Sequence, residues 1–211
     1  FTKNLISFTR KSKSQMCGNI GIPFDKIDLN KYLGPLVVEI SSFQLDRIQN
    51  LKFEIAVLLN ISKDHIDWHE NMSSYIKAKL NIFKNQTKSS IAIICIDNKI
   101  CEKIANEFKM NFKSRLITVS TNFKKKSDIN FRENKYEIEI INNLINKKIL
   151  IKKDKIRFTI AKHNFQNLIA SYTVYFALGL NHTNFSQAVE KLKNVEHRIQ
   201  FFCSKKNINF F

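Results

Sequence analysis

Four mostly apolar segments constrain the fold of this chain more than any other feature of its sequence. They span residues 36–40, 53–61, 90–96 and 116–120. Their apolar residues follow one another without alternation, which is typical of strands in a parallel sheet that helices cover on both faces. Helical patterns separate them at residues 73–83, with Asn71 or Ser73 as the N-cap, and at residues 98–108. We therefore predict an α/β fold with a mostly parallel sheet flanked by helices.

The second half of the chain has a different pattern. Residues 136–140 and 148–152 alternate polar and apolar side chains, and residues 156–160 can form a third strand of this group. Such alternation is typical of antiparallel strands with one face against the core and the other in water. The sequence therefore predicts a small antiparallel β-meander in addition to the parallel sheet.

Helices are predicted on either side of these strands. Residues 1–13 can form a short amphipathic helix, with Leu5, Ile6 and Phe8 as its apolar members. Residues 163–178 predict a long helix that ends at Gly179, because glycine readily adopts the left-handed conformation of a helix C-cap. A last helix is predicted at residues 185–192, with Asn184 as its N-cap.

Length and composition limit the class of protein. The 211 residues, of which 44% are hydrophobic, suffice for one sizeable α/β domain or two small ones. Apolar runs stay below the ~20 residues that cross a bilayer, so we expect no membrane span. The four cysteines form no CxxC pair, which argues against a zinc site or a redox motif. We expect them to be reduced thiols in the cytoplasm.

The net charge of +17 allows two interpretations. A strongly basic chain can bind nucleic acid by neutralising phosphates. Alternatively, the charge reflects lysines spread over every surface. The lysines are scattered, with one compact run at residues 124–126, and no arginine-rich stripe is visible. We therefore do not expect nucleic acid to be a partner.

Polar residues follow the first two predicted strands, at the end where open α/β sheets bind ligands. Glu39 ends the first strand, and Asp64 and His65 follow the second. If these strands are near neighbours, Glu39 and His65 face the same crevice. A carboxylate in an apolar strand needs a cation, so Glu39 either forms a salt bridge to a core base or binds a hard metal such as Mg²⁺. Asp67 and His69 are predicted to be surface or supporting residues.

Lys79 is the residue whose role depends most on its surroundings. It lies four residues after Tyr75, so both side chains share one face of a helix. It is either an ordinary exposed lysine or a lysine near the crevice with a partly desolvated amine and a lowered pKa. A neutral amine can add carbon dioxide and become a carbamate, which is an anionic oxygen ligand for a metal.

Two further polar groups lie late in the chain. Asn164 and Asn167 open the long helix, where asparagine is usually a cap but can also hydrogen-bond the edge of a base. His197 and Arg198 follow the last predicted helix. Arginine binds phosphate oxygens well, although a surface position is equally open for Arg198.

Several segments, taken together and in this order, resemble motifs of the Mur ligases. They read GNIGIP at 18–23, EISSFQL at 39–45, LNISKDHID at 59–67, YIKAKL at 75–80, AKHNFQN at 161–167 and HR at 197–198. The resemblance covers nearly the whole chain. The segment SSFQL at residues 41–45 is similar to that of the family members that add D-glutamate. It is less similar to the members that add other amino acids and to the more distant folylpolyglutamate synthases.

The resemblance implies a role for each matching residue. Glu39 and His65 would bind Mg²⁺ at two expected sites, and Lys79 would carry a carbamate that also binds metal. The implied catalytic residues are Lys79, His65 and Arg198. The implied nucleotide-binding residues are Asn164, Asn167, His197 and Arg198. The implied substrate-binding or supporting residues are Asn19, Ser41 and Tyr75.

The resemblance also implies a reaction. ATP would phosphorylate the carboxylate of UDP-N-acetylmuramoyl-L-alanine, and the amine of D-glutamate would then attack the acyl phosphate in peptidoglycan synthesis. Two metals and an arginine would offset the charge around the transferred phosphoryl group. We expect a monomer that works in the cytoplasm.

One family motif has no counterpart among these residues. The GxxGK[ST] loop that cradles phosphates does not occur in the sequence. The resemblance therefore implies that residues 1–204 are the central ATP-binding domain without its phosphate loop, and that residues 205–211 start a linker to a further domain. We expect these 211 residues alone not to ligate; ATP-dependent ligation of D-glutamate by the isolated chain would contradict this.

Overall fold

The computed structural model describes residues 1–9, 14–28, 34–64, 66–158, 162–192, 203–205 and 208–210. Its strands are β1 Gln15–Gly18, β2 Leu36–Glu39, β3 Ile55–Leu58, β4 Ile91–Cys95, β5 Arg115–Ser120, β6 Ile129–Glu133, β7 Glu137–Asn142, β8 Lys147–Lys152, β9 Cys203–Lys205 and β10 Ile208–Phe210. Its helices are α1 Thr2–Thr9, α2 Ser42–Arg47, α3 Ile66–His69, α4 Met72–Lys84, α5 Lys99–Asn106, α6 Phe108–Asn111, α7 Lys162–Ala177 and α8 Thr183–Glu190.

The largest sheet has six strands in the order β3-β4-β5-β6-β7-β8. Strands β3 to β6 run parallel, and β7 and β8 continue the sheet antiparallel. The predicted fold class, a mostly parallel sheet with an antiparallel meander, is confirmed. The two parts form one continuous sheet, because β6 pairs with β5 on one side and with β7 on the other.

Helices cover both faces of the parallel part of this sheet. Successive side chains of β4 enter opposite cores: Ile93 joins the cluster that contains Leu168 of α7, and Ile94 joins the cluster that contains Phe83 of α4. This double burial explains why the parallel strands are continuously apolar. The meander is covered on one face only, since Ile149 of β8 is buried and its neighbour Leu150 is 55% exposed.

The third strand of the meander differs from the prediction. It is β6, which precedes the two alternating segments; of the predicted residues 156–160, the described ones, 156–158, form no strand. Lys153–Lys155 form a turn of 3-10 helix, and only an isolated bridge at Arg157 follows. Residues 159 and 160 lie outside the described residues.

The first predicted strand also differs from expectation. β2 is half-buried, and Glu39 at its end is exposed. Among the described residues β2 pairs only with β1, in parallel, with Gly18 opposite Glu39. It is therefore not a doubly covered strand of the six-stranded sheet, which is why its apolar side chains keep some exposure. The four residues of β1 were too short and too mixed in polarity to be predicted.

Helix boundaries follow local capping. Asn71 caps α4, where its Oδ1 accepts a hydrogen bond from Ser74 N at 2.9 Å, as predicted. Gly179 ends α7 with a φ of 67°, and the N–H groups of Gly179 and Leu180 donate to Phe176 O and Tyr175 O. This is the Schellman pattern that relieves the last carbonyls of a helix, and it confirms the predicted end.

Three helix predictions were wrong in detail. Residues 98–108 form two helices, α5 and α6, with the break at Glu107. Phe8 of α1 is 45% exposed and does not join the buried Leu5 and Ile6. α8 begins at Thr183, and Asn184 is not its cap. Asn181 Oδ1 accepts hydrogen bonds from Thr183 N at 3.0 Å and Thr183 Oγ1 at 2.9 Å. In the described residues, no helix is both long and apolar enough to cross a membrane.

His182 links α7, α8 and the meander through a polar chain. Tyr172 OH accepts from Asn142 Nδ2 at 3.2 Å and is 3.2 Å from His182 Nδ1. Burial, and then the positive charge of Lys147, lower the pKa of His182. The unfolded chain therefore binds this proton more tightly than the folded protein does.

The free energy of unfolding should consequently rise with pH between the lowered pKa of His182 and its ordinary value of about 6.5. We expect the His182→Asn variant to show a shallower pH dependence of thermal stability between about pH 5 and pH 7. Thermal unfolding followed by circular dichroism measures this. If the thermal stability of the variant depends on pH as steeply as that of the wild type, His182 is not the group responsible.

Candidate active site

The loop after β1 lies beside the end of β2. Asn19 N donates a hydrogen bond to Glu39 O at 2.8 Å. Gly18 has a φ of 107°, and a Cβ at this position would stand 2.2 Å from Glu39 O. Only glycine permits that approach, because any side chain would collide with the backbone. The structure therefore brings Asn19, which is exposed, next to the residue predicted as a metal ligand.

Helix α2 begins directly after Glu39, and its start is fixed by Ser41. Ser41 Oγ accepts from Gln44 N at 3.3 Å, and Gln44 Oε1 accepts from Ser41 N at 3.0 Å. These reciprocal bonds form a capping box. Sequence reasoning assigned Ser41 to the substrate side. In the structure, the Ser41 side chain caps α2 and thereby fixes the turn that follows Glu39.

Lys79 lies on α4, where it faces the same region as Glu39 and Asp64. Its Nζ is 5.2 Å from the centroid of the Tyr75 ring, and Tyr75 is 4% exposed. Burial lowers the pKa of Lys79, although the nearby carboxylates of Asp64 and Glu39 act in the opposite direction. Lys79 is half-buried. It therefore matches the predicted alternative of a partly desolvated amine, and not that of a freely exposed lysine.

His69 was predicted to be a surface or supporting residue, and the structure shows that it is buried, with 5% of its area exposed. Its Nε2 lies 3.0 Å from Ser42 Oγ, which is buried as well. The ring stacks on Phe43 and contacts Tyr75, with centroids 5.6 Å and 5.4 Å apart. His69 thereby connects the segment that follows β2 with the helix that holds Lys79. Its contacts with Ser42 and Phe43 join parts of the chain that are far apart in sequence, so the local sequence gave no sign of them.

The first turn of α7 approaches the same edge of the sheet from the other side. Asn164 and Asn167 are half-buried there, and His163 is exposed. Between the two asparagines, Gln166 Nε2 donates to Asp97 Oδ2 at 3.0 Å. Asp97 follows β4, so this bond holds the start of α7 against the carboxyl end of the parallel strands. Sequence reasoning did not identify Asp97 or Gln166.

Three predicted site residues, His65, His197 and Arg198, lie outside the described residues. Asp64, immediately before His65, is described and raises the pKa of Tyr75, as burial also does to a larger extent. The structure therefore brings together Asn19, Ser41, Glu39, Tyr75 and Lys79 on one side and places Asn164 and Asn167 in the first turn of α7.

Oxygen ligands at this edge suit a hard cation. Within the described part of the chain, no group of three or more His, Cys, Asp or Glu side chains is close enough to hold a metal alone. Mg²⁺ seldom needs such a group, because it is usually bound by one or two carboxylates together with substrate phosphates and water. Glu39 supplies one carboxylate of this kind at the end of β2.

The fold and this edge define the class: an α/β protein whose polar side chains meet at the carboxyl end of a parallel sheet, where such folds bind ligands. The family model described as the Mur ligase middle domain matches residues 5–175. The chain belongs to the Mur ligase family.

The relatives agree with this assignment. A UDP-N-acetylmuramoylalanine–D-glutamate ligase of Rickettsia bellii (strain RML369-C) is 34% identical over 204 residues, covering 93% of this chain and 42% of that protein. The chain thus spans less than half the length of the curated relatives it matches.

Solved structures share the fold. A UDP-N-acetylmuramoyl-L-alanyl-D-glutamate–2,6-diaminopimelate ligase aligns with a TM-score of 0.77 at 19% identity, over 97% of this chain and 45% of that one. The MurF ligase of Thermotoga maritima in complex with ADP aligns with a TM-score of 0.65 at 19% identity, over 97% and 48%.

The buried pair of His69 and Ser42 makes a prediction about stability. His69→Phe leaves the Ser42 hydroxyl buried without its partner, which should lower the free energy of unfolding by about 1–3 kcal/mol. Adding Ser42→Ala removes the unpaired hydroxyl and should recover most of the lost free energy of unfolding. Urea unfolding of the wild type, both single variants and the double variant measures this coupling. Simple additivity of the two losses would argue against a direct bond.

Proposed function

We propose that this chain is part of an ATP-dependent ligase that adds D-glutamate to UDP-N-acetylmuramoyl-L-alanine through an acyl phosphate. Membership of the Mur ligase family supports ATP-dependent amide ligation in peptidoglycan synthesis. The D-glutamate specificity is supported by the 34% identical relative of that name and by the SSFQL letters at residues 41–45.

The observation that carries the proposal is the position of Lys79. Burial makes a charged Lys79 costly, and the two nearby carboxylates offset only part of that cost. The cost is understandable if the amine must be neutral in order to react. Lys79 Nζ can then attack carbon dioxide, forming an N–C bond and releasing one proton, to give a carbamate anion.

The proposed metal ligands are the carbamate on Lys79, Glu39 and His65. Bound Mg²⁺ would supply positive charge that offsets the charge of the transferred phosphoryl group. Tyr75 covers one side of the lysine stem, since its ring lies 5.2 Å from Lys79 Nζ. Burial of the Lys79 amine itself favours its neutral form.

The reaction itself requires two bond exchanges. An oxygen of the muramoyl-alanine carboxylate attacks the γ-phosphorus of ATP, and the bond from that phosphorus to ADP breaks. The amine of D-glutamate then attacks the acyl carbon, loses a proton, and displaces inorganic phosphate. We assign Asn164, Asn167, His197 and Arg198 to the nucleotide, and Asn19 to the muramoyl substrate. The chain's main contribution is to position two anionic reactants.

The extent of the domain is also a proposal. We propose that residues 1–204 form the central ATP-binding domain and that a linker to another domain starts at 205. In the structure, β9 and β10 pair antiparallel around this point. We further propose a monomer in the cytoplasm; the free thiols Cys17, Cys95 and Cys101 agree with a reducing environment.

An amino-acid panel tests the specificity. The full-length gene product should release ADP and phosphate with UDP-N-acetylmuramoyl-L-alanine and D-glutamate, and much more slowly with L-glutamate, L-alanine or diaminopimelate. Turnover with one of those amino acids instead would replace the D-glutamate proposal by a sibling activity. A folylpolyglutamate synthase-like ligase would instead use a folate acceptor.

A substitution at Lys79 tests the carbamate. We expect Lys79→Ala to lower kcat by at least about 100-fold, because a metal ligand is lost, and added acetate or propionate to restore part of it. Lys77→Ala is the matched control, since Lys77 lies on the same helix and is exposed. It should keep full activity.

A spectroscopic measurement separates the carbamate from activity. In ¹³C-labelled bicarbonate, the wild type and Lys77→Ala should show a carbamate carbonyl signal that Lys79→Ala lacks. Full activity of Lys79→Ala, or an identical spectrum in all three proteins, would exclude the carbamate role.

A further inference from the structure

Asp97 has no role in the proposed reaction. Its carboxylate nevertheless accepts several hydrogen bonds from residues far away in the sequence. Its Oδ1 accepts from Ser120 Oγ at 2.6 Å and Thr121 N at 3.0 Å. Its Oδ2 accepts from Thr121 Oγ1 at 2.5 Å and from Gln166 Nε2 at 3.0 Å. The bonds come from the end of β5 and from α7, while Asp97 itself follows β4.

These bonds act on a charged group in a partly buried place. Burial would raise the pKa of Asp97, but hydrogen bonds from Ser120, Thr121 and Gln166 hold it below its ordinary value. The carboxylate is therefore ionised at neutral pH. Hydrogen bonds to an ionised acceptor are roughly twice as strong as neutral ones, so the junction is firm. Its charge near the N-terminus of α7 also suits the helix dipole.

Among the described residues, Gln166 is the contact of this network that lies on α7, the helix of the proposed nucleotide residues. It stands two residues after Asn164 and one residue before Asn167, in the same helical turn. A shift of Gln166 along or around the helix axis would move both asparagines. Further along, α7 packs on β4, β5 and β6 largely through apolar side chains.

We propose that Asp97 is a positioning residue for nucleotide binding: through Gln166 it sets the place of Asn164 and Asn167 relative to the carboxyl edge of the sheet. This inference rests on the proposed function, because it takes the two asparagines as nucleotide contacts. Asp97 touches no reactant in this account, and Gln166 transmits its effect.

A charge swap tests the link in the full-length gene product. Gln166→Glu places a second carboxylate against Asp97 and should push the helix start away. We expect ADP affinity, measured by calorimetry, to fall about tenfold, and KM for ATP to rise similarly while KM for the amino acid stays the same. The double variant D97N/Q166E restores a donor–acceptor pair and should recover most of the affinity.

Asp128→Asn is the matched control. Asp128 Oδ2 accepts from Thr118 N and Thr118 Oγ1, both at 2.8 Å, and it belongs to the same sheet. The loss of these bonds should lower thermal stability without changing ADP affinity. The double variant also controls for charge, because it keeps the new carboxylate at position 166 while restoring the wild-type net charge.

The outcomes separate this inference from the proposed function. Unchanged ADP affinity in Gln166→Glu, no recovery in the double variant, or an equal loss in Asp128→Asn would each overturn the positioning role. Failure of the wild type to bind nucleotide would overturn it as well. If the expected pattern of ADP affinities appears but D-glutamate is not ligated, the positioning role stands and the proposed reaction falls.

Discussion

The parallel pairing of β3, β4 and β5 is the constraint on which the candidate site depends. In a parallel sheet the carboxyl ends of neighbouring strands meet at one edge, so the residues after each strand become neighbours. Asp64 follows β3, Asp97 follows β4, and Thr121 follows β5. Thr121 donates hydrogen bonds to Asp97 across two of these strand ends, and Gln166 of α7 donates a further one to the same carboxylate. Helices on both faces hold the register by packing against apolar side chains of these strands, such as Ile93 and Ile94 of β4.

The same edge contains the groups that cost stability. Lys79 is kept half-buried with a lowered pKa, so at neutral pH the unfolded chain holds the proton more tightly than the folded one. Apolar packing on the two faces of the sheet, with Phe83 beneath α4 and Leu168 on the opposite side, offsets this cost. Functional sites commonly contain such unfavourable groups, and packing elsewhere in the protein compensates for the stability they cost.

Sequence reasoning found what depends on local pattern. Continuous apolar strands, the alternating meander, the Asn71 cap and the Gly179 end each follow from residues close together in the chain. It missed what depends on distant partners. The partner of Asp97 on α7 is 69 residues away, and Ser42 is 27 residues from His69. The pairing of β2 with β1, outside the main sheet, was not predicted because β1 has no recognisable strand pattern. Residue patterns singled out Glu39, Lys79 and Asn164, the resemblance implied their roles, and their surroundings came only from the fold.

The central claim is that a magnesium nucleotide binds at this edge, between the Glu39 and Lys79 side and the first turn of α7. A crystal structure of the full-length gene product with Mg²⁺, ADP and bicarbonate tests it most directly. The account predicts metal density beside Glu39 and a modified Lys79, with the base of the nucleotide against Asn164 and Asn167. A nucleotide bound elsewhere, or an unmodified Lys79 remote from the metal, would contradict it.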